Sequence, residues 1–248
     1  MFFEGRDASN EEETLLILSV ETRSRKQAEL KIMSAIESKL KGFIINGSER
    51  ERFETDLEPL GLNIFSMNES EFTYALGRGG NTRRKLERAS GAIMEYIGTN
   101  AFIAGTRQQR NQAVSYLQML LDQREGRVSE FDENRPDLTI IDIPRDFADE
   151  IGSSRGRYLR NMEEMTDTFC FTQTVLTEGG DRVNRLYIFG NSRSERSTAQ
   201  RKFERYIDDL FEDKHRSRRR RDRSRSSSKR RYSRSNSPEY NRRPRALR

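Results

Sequence analysis

The stretch that decides the fold runs from Leu62 to Leu121 and reads LNIFSMNESEFTYALGRGGNTRRKLERASGAIMEYIGTNAFIAGTRQQRNQAVSYLQMLL. Three short apolar segments in it have the length and composition of strands, and three others repeat apolar residues every three to four positions, as amphipathic helices do. The four residues Gly77-Arg78-Gly79-Gly80 interrupt the first two helices, because glycine disfavours a continuous helix and permits a tight turn. The predicted order is strand, helix, helix, strand, strand, helix.

The same order is predicted again in residues 137–212. A strand LTIIDIP and a helix RDFADEI precede the turn Ser153-Ser154-Arg155-Gly156. A helix RYLRNMEEM, a strand TFCFTQT and a final strand and helix follow it. Two copies of one βααββα domain are therefore expected in tandem.

The last strand and helix of this order occur three times. The copies are TLLILSVETRSRKQAELKIMSAIESKL, NAFIAGTRQQRNQAVSYLQMLL and RLYIFGNSRSERSTAQRKFERYIDDLF. Their helices share apolar residues four apart, namely Ala28, Ile32, Ile36; Ala113, Leu117, Leu121; Ala199, Phe203, Ile207. The first copy, residues 14–40, is either a truncated or degenerate domain or an added βα element.

Charge is distributed unevenly along the chain. Residues 214–248 contain sixteen Lys or Arg and two acidic residues, a net charge of +14, whereas residues 1–213 contain 30 basic and 38 acidic residues, a net charge of −8. The C-terminal segment has almost no aliphatic residues before Leu247. It cannot bury enough apolar surface to offset the entropy of ordering, and we expect it to be disordered.

Several function classes are disfavoured by composition. The chain has one cysteine, Cys170, and one histidine, His215, which argues against a disulfide framework, a Cys/His zinc site and a histidine-based triad. It has no phosphate-binding G-x-x-x-x-G-K-[ST] motif and no apolar run of about 20 residues. We therefore expect an intracellular protein that is not an enzyme and uses no cofactor, metal or membrane.

The domain at residues 60–122 resembles the eukaryotic, type I KH domain. The resemblance rests on Gly77-Arg78-Gly79-Gly80, on Ser90-Gly91-Ala92 at the following strand, and on Ile143-Pro144 in the second copy. Arg83 departs from the KH pattern, which has an apolar residue there, and Ser153 replaces the first glycine of the second loop. The resemblance implies an α+β fold of tandem KH-like domains, each a three-stranded sheet packed on three helices.

The predicted domains follow from these boundaries. Residues 1–59 hold the partial KH-like βα unit and a connector, 60–122 the first KH domain, 123–136 a linker, 137–213 a second, degenerate KH domain, and 214–248 the disordered tail.

The resemblance also implies that single-stranded RNA binds at the glycine-containing loops. Glycine allows close approach of a phosphate, and the following helix start presents unpaired amides and positive charge. The predicted RNA-binding residues of the first domain are Gly77, Arg78, Gly79, Gly80, Asn81, Thr82, Arg83, Arg84, Lys85, Leu86 and Met94, with Leu76 and Ala92 as further groove candidates. Those of the second domain are Ser153, Ser154, Arg155, Gly156, Arg157 and Arg160.

Acidic residues surround the second loop in the sequence. They are Asp146, Asp149, Glu150, Glu163 and Glu164. Their field would repel phosphate, so we expect weaker RNA binding at this loop.

A set of aromatic residues is predicted to contact protein. With the period of two of a strand, Tyr187 and Phe189 project to one side of the sheet, and Phe169 and Phe171 of the preceding strand join them. If this face points away from the helices, the rings form an exposed patch for another protein or for another domain of the chain. A shift of strand phase by one residue would instead place them in the core.

The tail alternates arginine and serine and resembles the RS region of splicing-related SR proteins. Ser217, Ser224, Ser226 and Ser235 are predicted phosphorylation sites for SR-type kinases, where phosphate would reverse the local charge. A basic nuclear-targeting or solubilising extension is the alternative. Both interpretations place the protein in the nucleus.

The leading functional hypothesis is an RNA-binding protein of pre-mRNA splicing or mRNA processing that binds single-stranded RNA and is recruited to splicing or ribonucleoprotein components through its tail. The alternative is a scaffold in a ribonucleoprotein complex, in which the KH folds contact proteins.

Overall fold

The structure is a computed structural model that describes residues 2–3, 15–46, 55, 60–153, 156–177 and 179–235, with the backbone alone at 2–3, 149–150, 152–153 and 217–235. The strands are β1 (Phe2–Phe3), β2 (Leu15–Leu16), β3 (Gly61–Ser66), β4 (Ile93–Ile97), β5 (Asn100–Gly105), β6 (Leu138–Ile143), β7 (Phe169–Leu176) and β8 (Arg182–Phe189). The helices are α1 (Thr22–Lys39), α2 (Glu69–Leu76), α3 (Asn81–Ser90), α4 (Arg107–Arg124), α5 (Arg145–Ser153), α6 (Arg157–Thr166) and α7 (Arg193–Ser235). The α+β class is confirmed, and the order βααββα occurs twice.

The chain divides into two compact units, Met1–Gln200 and Arg201–Arg248. Both three-stranded sheets lie in the first unit. Among the described residues, no helix is both long enough and apolar enough to cross a bilayer.

The first sheet has the antiparallel order β3–β5–β4, in which the last strand along the chain lies in the centre. One of its faces packs on α2, α3 and α4. Buried residues on this side include Ala75, Leu86, Met94, Ile103 and Tyr116. Alternate strand residues point to opposite faces, so this sheet needs a second cover.

Helix α1 supplies that cover. Leu30 and Met33 of α1 form a second apolar cluster with Ile93, Ile97 and Phe102 of the sheet. The Ser34 hydroxyl donates to the carbonyl of Tyr96 at 3.2 Å. In the structure, the helix of the first repeat copy therefore packs on the outer face of the next domain, while residues 4–14, 47–54 and 56–59 of the predicted 1–59 unit lie outside the described residues.

The second sheet repeats the topology, with the antiparallel order β6–β8–β7. Helix α5 contacts β8, and α6 contacts β7. Cys170, Leu186 and Ile188 are buried and alternate along the strands with the four aromatic residues. The aromatic residues therefore occupy one face, as their spacing predicted.

Helix α4 covers that aromatic face. The Tyr116 ring of α4 lies 5.7 Å from the ring centre of Phe169 and 5.3 Å from that of Phe189. Phe131, from the connection between the domains, stands edge-on to Tyr187 at 5.0 Å. Helix α4 thus packs on two sheets. It lies in the core of its own domain, and it covers the outer face of the second sheet as α1 covers the outer face of the first.

The three repeat copies also share a hydrogen bond that the sequence did not reveal. In each copy an arginine near the start of the last helix donates to the carbonyl at the end of the preceding strand or segment. The pairs are Arg25 with Ser19, Arg110 with Gly105 at 2.7 Å, and Arg196 with Gly190 at 2.5 Å. This common bond supports a true internal repeat.

Helix α7 continues through residues 214–235 of the tail, while residues 236–248 lie outside the described residues. Arginine has a high helix propensity, and the Arg216 guanidinium pairs with Glu212 one turn earlier at 2.9 Å. Local propensity thus favours a helix where the composition predicts disorder in isolation, and the disorder of the tail stays a prediction.

Candidate nucleic-acid interface

The glycine loop between α2 and α3 has backbone angles that favour glycine. Gly77, Gly79 and Gly80 have φ values of 68°, 61° and 76°. A Cβ atom on Gly77 would stand 2.1 Å from the Thr82 hydroxyl, whereas nothing lies within 4 Å of one on Gly79. The loop is therefore tightly packed at its first glycine and open at its third residue.

The capping residues on either side of this loop position it. Asn68 and Glu71 form a capping box that fixes the start of α2. Helix α3 begins after Gly80 without a side-chain cap, and the Asn81 amide bonds back to the carbonyl of Arg78. The first amides of a helix lack intrahelical acceptors and carry partial positive charge, which suits an anion.

Two arginines at this loop are exposed. The side chain of Arg78 makes no hydrogen bond or ion pair within the part of the chain that the structure describes, although its carbonyl accepts the bond from the Asn81 amide. Arg84 donates to the Gly79 carbonyl at 2.9 Å and to the Asn81 side chain at 2.5 Å. Arg84 thus braces the loop, and Arg78 is the cation left to meet a ligand.

Arg83 does not fit its predicted role in contacting RNA. Its guanidinium donates to the Met94 carbonyl at 2.5 Å and to the Glu95 carboxylate at 2.8 Å, and its side chain is only 19% exposed. An arginine can occupy this position, where the KH pattern would have an apolar residue, because β4 provides partners for its charge.

Lys85 is also withdrawn from the predicted surface. Its ammonium lies 3.0 Å from the Glu163 carboxylate and 5.0 Å from the centre of the Phe169 ring. Glu163 accepts a further hydrogen bond of 2.8 Å from the Cys170 amide. Lys85 therefore joins the two domains, a role that sequence could not reveal because its partner is 78 residues away.

Glu163 belongs to a pair of repeated positions. Glu87 stands at the same place in the first domain and accepts a 3.4 Å hydrogen bond from the Met94 amide. Burial raises the pKa of both carboxyls, although these amide bonds and nearby cations act in the opposite direction. Glu163 is thus compensated either by Lys85 or by a proton and adds little to a repulsive field.

The structure describes the side chains of two of the other four acidic residues near the second loop. Asp146 and Glu164 are exposed, and the side chains of Asp149 and Glu150 lie outside the described part. The structure thus shows a compensating cation for Glu163, and the repulsion of phosphate by the acidic residues around this loop stays a prediction.

The apolar groove residues are mostly core residues. Leu86, Ala92 and Met94 are fully buried, while Leu76 is half-buried. Leu86 and Met94 face the sheet–helix core and are closed to a ligand, which corrects their assignment. The sequence shows that these residues are apolar, but it does not show whether an apolar residue lines a binding groove or lies in the core below the groove.

The second loop is described only in part. Ser154 and Arg155 lie outside the described residues, as does the side chain of Ser153. Gly156 has φ 63° and ψ 20° and starts α6, much as Gly80, with φ 76° and ψ 16°, starts α3. Arg157 and Arg160 are exposed on the first turns of α6.

The two loops border one cleft. It has a volume of about 980 Å³. Gly77, Arg78 and Thr82 of the first loop line it from one side, and Gly156 and Arg160 of the second domain line it from the other. The geometry therefore brings together candidate residues from both domains.

The aromatic residues contact another domain of the chain, which is one of the two contacts predicted for them, and they are not exposed as a patch for a separate protein. Phe169, Phe171, Tyr187 and Phe189 are at most 4% exposed, because α4 and Phe131 cover them. They lie away from their own domain's helices and within a contact between domains. A separate protein cannot bind them in this arrangement.

The predicted phosphorylation sites Ser217, Ser224, Ser226 and Ser235 lie on α7 where only the backbone is described. Among the residues that the structure describes, no group of three or more His, Cys, Asp or Glu side chains is arranged to hold a metal.

No model of a known protein family matches the chain, and a search of curated proteins finds no similar sequence.

Proposed function

We propose that the chain is a KH-type protein that binds single-stranded RNA at the Gly77–Gly80 loop. The observation that carries the proposal is this loop, in which three glycines with positive φ separate two helices. Gly79 is open, and the side chain of the neighbouring Arg78 has no partner among the described residues. Two βααββα domains with their last strand in the centre of the sheet are consistent with it. Backbone clamping by such a loop needs close approach and positive charge, and both are present.

The tail extends this proposal. Its Arg-Ser repeats favour a nuclear protein of pre-mRNA splicing or mRNA processing, whose tail is phosphorylated by SR-type kinases and recruits ribonucleoprotein components. Phosphate on the tail serines would weaken its nonspecific attraction to RNA and leave recognition to the folded domains.

The test replaces Arg78 and Gly79 together by aspartate in the full chain. Fluorescence anisotropy with a short single-stranded RNA, repeated at rising salt, separates the loop from the tail because tail binding falls steeply with salt. We expect at least about a tenfold loss of affinity at physiological salt, which is roughly 1.4 kcal/mol.

The matched control is Lys31→Glu with Lys39→Gln. It lowers the net charge by the same three units at exposed positions of α1. Affinity should change little in this control. Equal affinity in the loop variant and the control would contradict the proposal.

The scaffold alternative has one observation in its favour. Arg83 and Lys85, two of the predicted RNA contacts, are used in ion pairs inside the protein. In a scaffold, RNA binding would reside in the tail alone, and the loop variant would leave the affinity unchanged.

A further inference from the structure

The cleft between the two domains contains features that neither loop provides alone. Tyr74 of α2 lines it and remains 42% exposed. The guanidinium of Arg124, at the end of α4, lies 5.7 Å from the centre of the Tyr74 ring. The Tyr74 ring thus has a guanidinium group next to it, and it keeps an accessible surface at the cleft.

The described lining of the cleft has a net positive charge. Among the residues that the structure describes, the charged ones that line it are Arg78, Lys85, Arg124, Arg160 and Glu163. Lys85 and Glu163 pair with each other, so the three arginines are left to attract an anion. They come from α4, from the first loop and from the second domain, which surround the opening rather than lie in one row.

An unpaired donor lies at the same wall. The side-chain nitrogen of Gln123 is buried and has no hydrogen-bond partner among the described residues. A buried donor without an acceptor is unfavourable, because it has lost its hydrogen bonds to water. An acceptor on a ligand in the cleft would remove that cost.

A second cavity extends the track past Arg160. It has a volume of about 630 Å³ and shares Asn81, Thr82, Lys85, Arg160 and Glu163 with the first. Arg84 and Arg88 of α3 join the lining there together with Glu87 and Glu164, and Arg88 also pairs with Asp167 at 3.3 Å. The lining past Arg160 is therefore of mixed charge, and the excess of positive charge among the described residues lies in the first cleft.

We propose that the interdomain cleft binds one continuous segment of single-stranded RNA, with a base stacked on Tyr74 and phosphates held by Arg78 on one wall and Arg160 on the other. Stacking on an aromatic ring combined with distributed guanidinium groups is the means by which proteins hold single strands, and duplex RNA would offer no free base to the ring. An acidic peptide would use the arginines but would gain little from Tyr74. This inference rests on the proposed function and assigns the second domain a direct part in it.

The test uses the full chain and a fluorescein-labelled oligouridine of about ten nucleotides. Tyr74→Ala changes no charge, so the contribution of the basic tail is constant. Loss of one stacked base is worth about 1–3 kcal/mol, so we expect a fall in affinity of about 5- to 150-fold. The control is Phe43→Ala, which removes a ring that is 64% exposed and does not line the cleft; its affinity should be unchanged.

Arg160→Glu tests the opposite wall. Its charge-matched control is Arg182→Glu, an exposed position at the start of β8 outside the cleft. We expect a several-fold loss for Arg160→Glu alone. Combined with Arg78→Asp, the two losses should fall short of additive, because a strand released from one wall no longer benefits from the other.

The outcomes separate this inference from the proposed function. If the Arg78 and Gly79 variant loses binding while Tyr74→Ala and Arg160→Glu keep it, the loop binds RNA and the cleft proposal is wrong. If all three keep it, both fail. A third outcome is that a phosphorylated Arg-Ser peptide is the one competitor that displaces the RNA and that Tyr74→Ala leaves the RNA affinity unchanged. That outcome would identify a peptide site and would also overturn the inference.

Discussion

The contact between the two domains makes a prediction about stability that does not depend on function. The Tyr116 hydroxyl of α4 donates a 2.8 Å hydrogen bond to the Asp137 carboxylate at the entrance to the second domain. Arg135 donates two more, at 2.9 and 2.7 Å, to the same carboxylate. Both Tyr116 and Asp137 are buried. Tyr116→Phe removes the hydroxyl and leaves the packing of the ring intact.

The expected loss can be worked out from these contacts. A hydrogen bond to a charged group contributes about 1.5–3 kcal/mol. Asp137 keeps both bonds from Arg135, so the carboxylate is not left unpaired and the lower part of that range applies, roughly 1.5–2 kcal/mol. For a chain of this size, the midpoint of thermal unfolding should fall by roughly 3–8 °C.

Tyr96→Phe is the matched control. Tyr96 is another buried tyrosine, but its hydroxyl donates to the neutral carbonyl of Ala75 at 3.2 Å within one domain. Its loss should cost only about 0.5–1 kcal/mol. Urea unfolding followed by far-ultraviolet circular dichroism measures both, since the chain has no tryptophan. An equal or smaller loss in Tyr116→Phe would refute the reasoning.

The pH dependence provides a second check on Tyr116. Burial of Asp137 acts to raise its pKa, but the hydrogen bonds from Arg135 and Tyr116 outweigh it and hold the pKa below the ordinary value of 3.8. A carboxyl with a depressed folded-state pKa stabilises the protein above its unfolded pKa and ceases to do so as the pH falls through the folded one. The difference between the wild type and Tyr116→Phe should therefore persist from pH 7 to pH 5 and narrow only below about pH 4.

Two further predictions follow from the loop and the core. Gly77→Ala should destabilise the protein by roughly 1–3 kcal/mol, because it combines a positive φ with a collision at Thr82, whereas Gly79→Ala, with open space, should cost about 1 kcal/mol; equal urea midpoints for the two would contradict the geometry. Cys170 should not react with a thiol reagent until the protein unfolds, because burial raises the pKa of its thiol and the side chain is enclosed beside Thr168; a stoichiometric reaction under native conditions would show that this core opens.

The sequence predicted features that arise from local patterns. The order of elements around Gly77–Gly80 follows from periodicity and glycine placement, and both act over fewer than twenty residues. The common face of Phe169, Phe171, Tyr187 and Phe189 follows from the period of two in a strand. The sequence does not predict which element covers that face, because the covering helix is about 60 residues away in the chain.

The incorrect assignments share a physical cause. Arg83 and Lys85 look like free cations in a basic run, but their partners, Glu95 and Glu163, become neighbours only in the folded protein. Leu86 and Met94 have the composition of a binding groove and also that of a core, and only packing decides between them. Long-range pairing thus determined which residues of the candidate site are available.

The interlocking of the repeats changes how the two loops would work together. A flexible linker would join two weak modules through effective concentration alone, which is the mechanism that a tandem sequence suggests. Here α4 belongs to the core of the first domain and also covers the second sheet, while the Lys85–Glu163 pair ties α3 to α6. The orientation of Arg78 relative to Arg160 is therefore fixed before a ligand binds. The entropy lost in ordering the two domains is lost on folding, and it does not reduce the affinity for a ligand. In the proposed complex, a strand that fits this fixed arrangement would gain affinity from both walls, and one too short to reach across the cleft would gain it from only one.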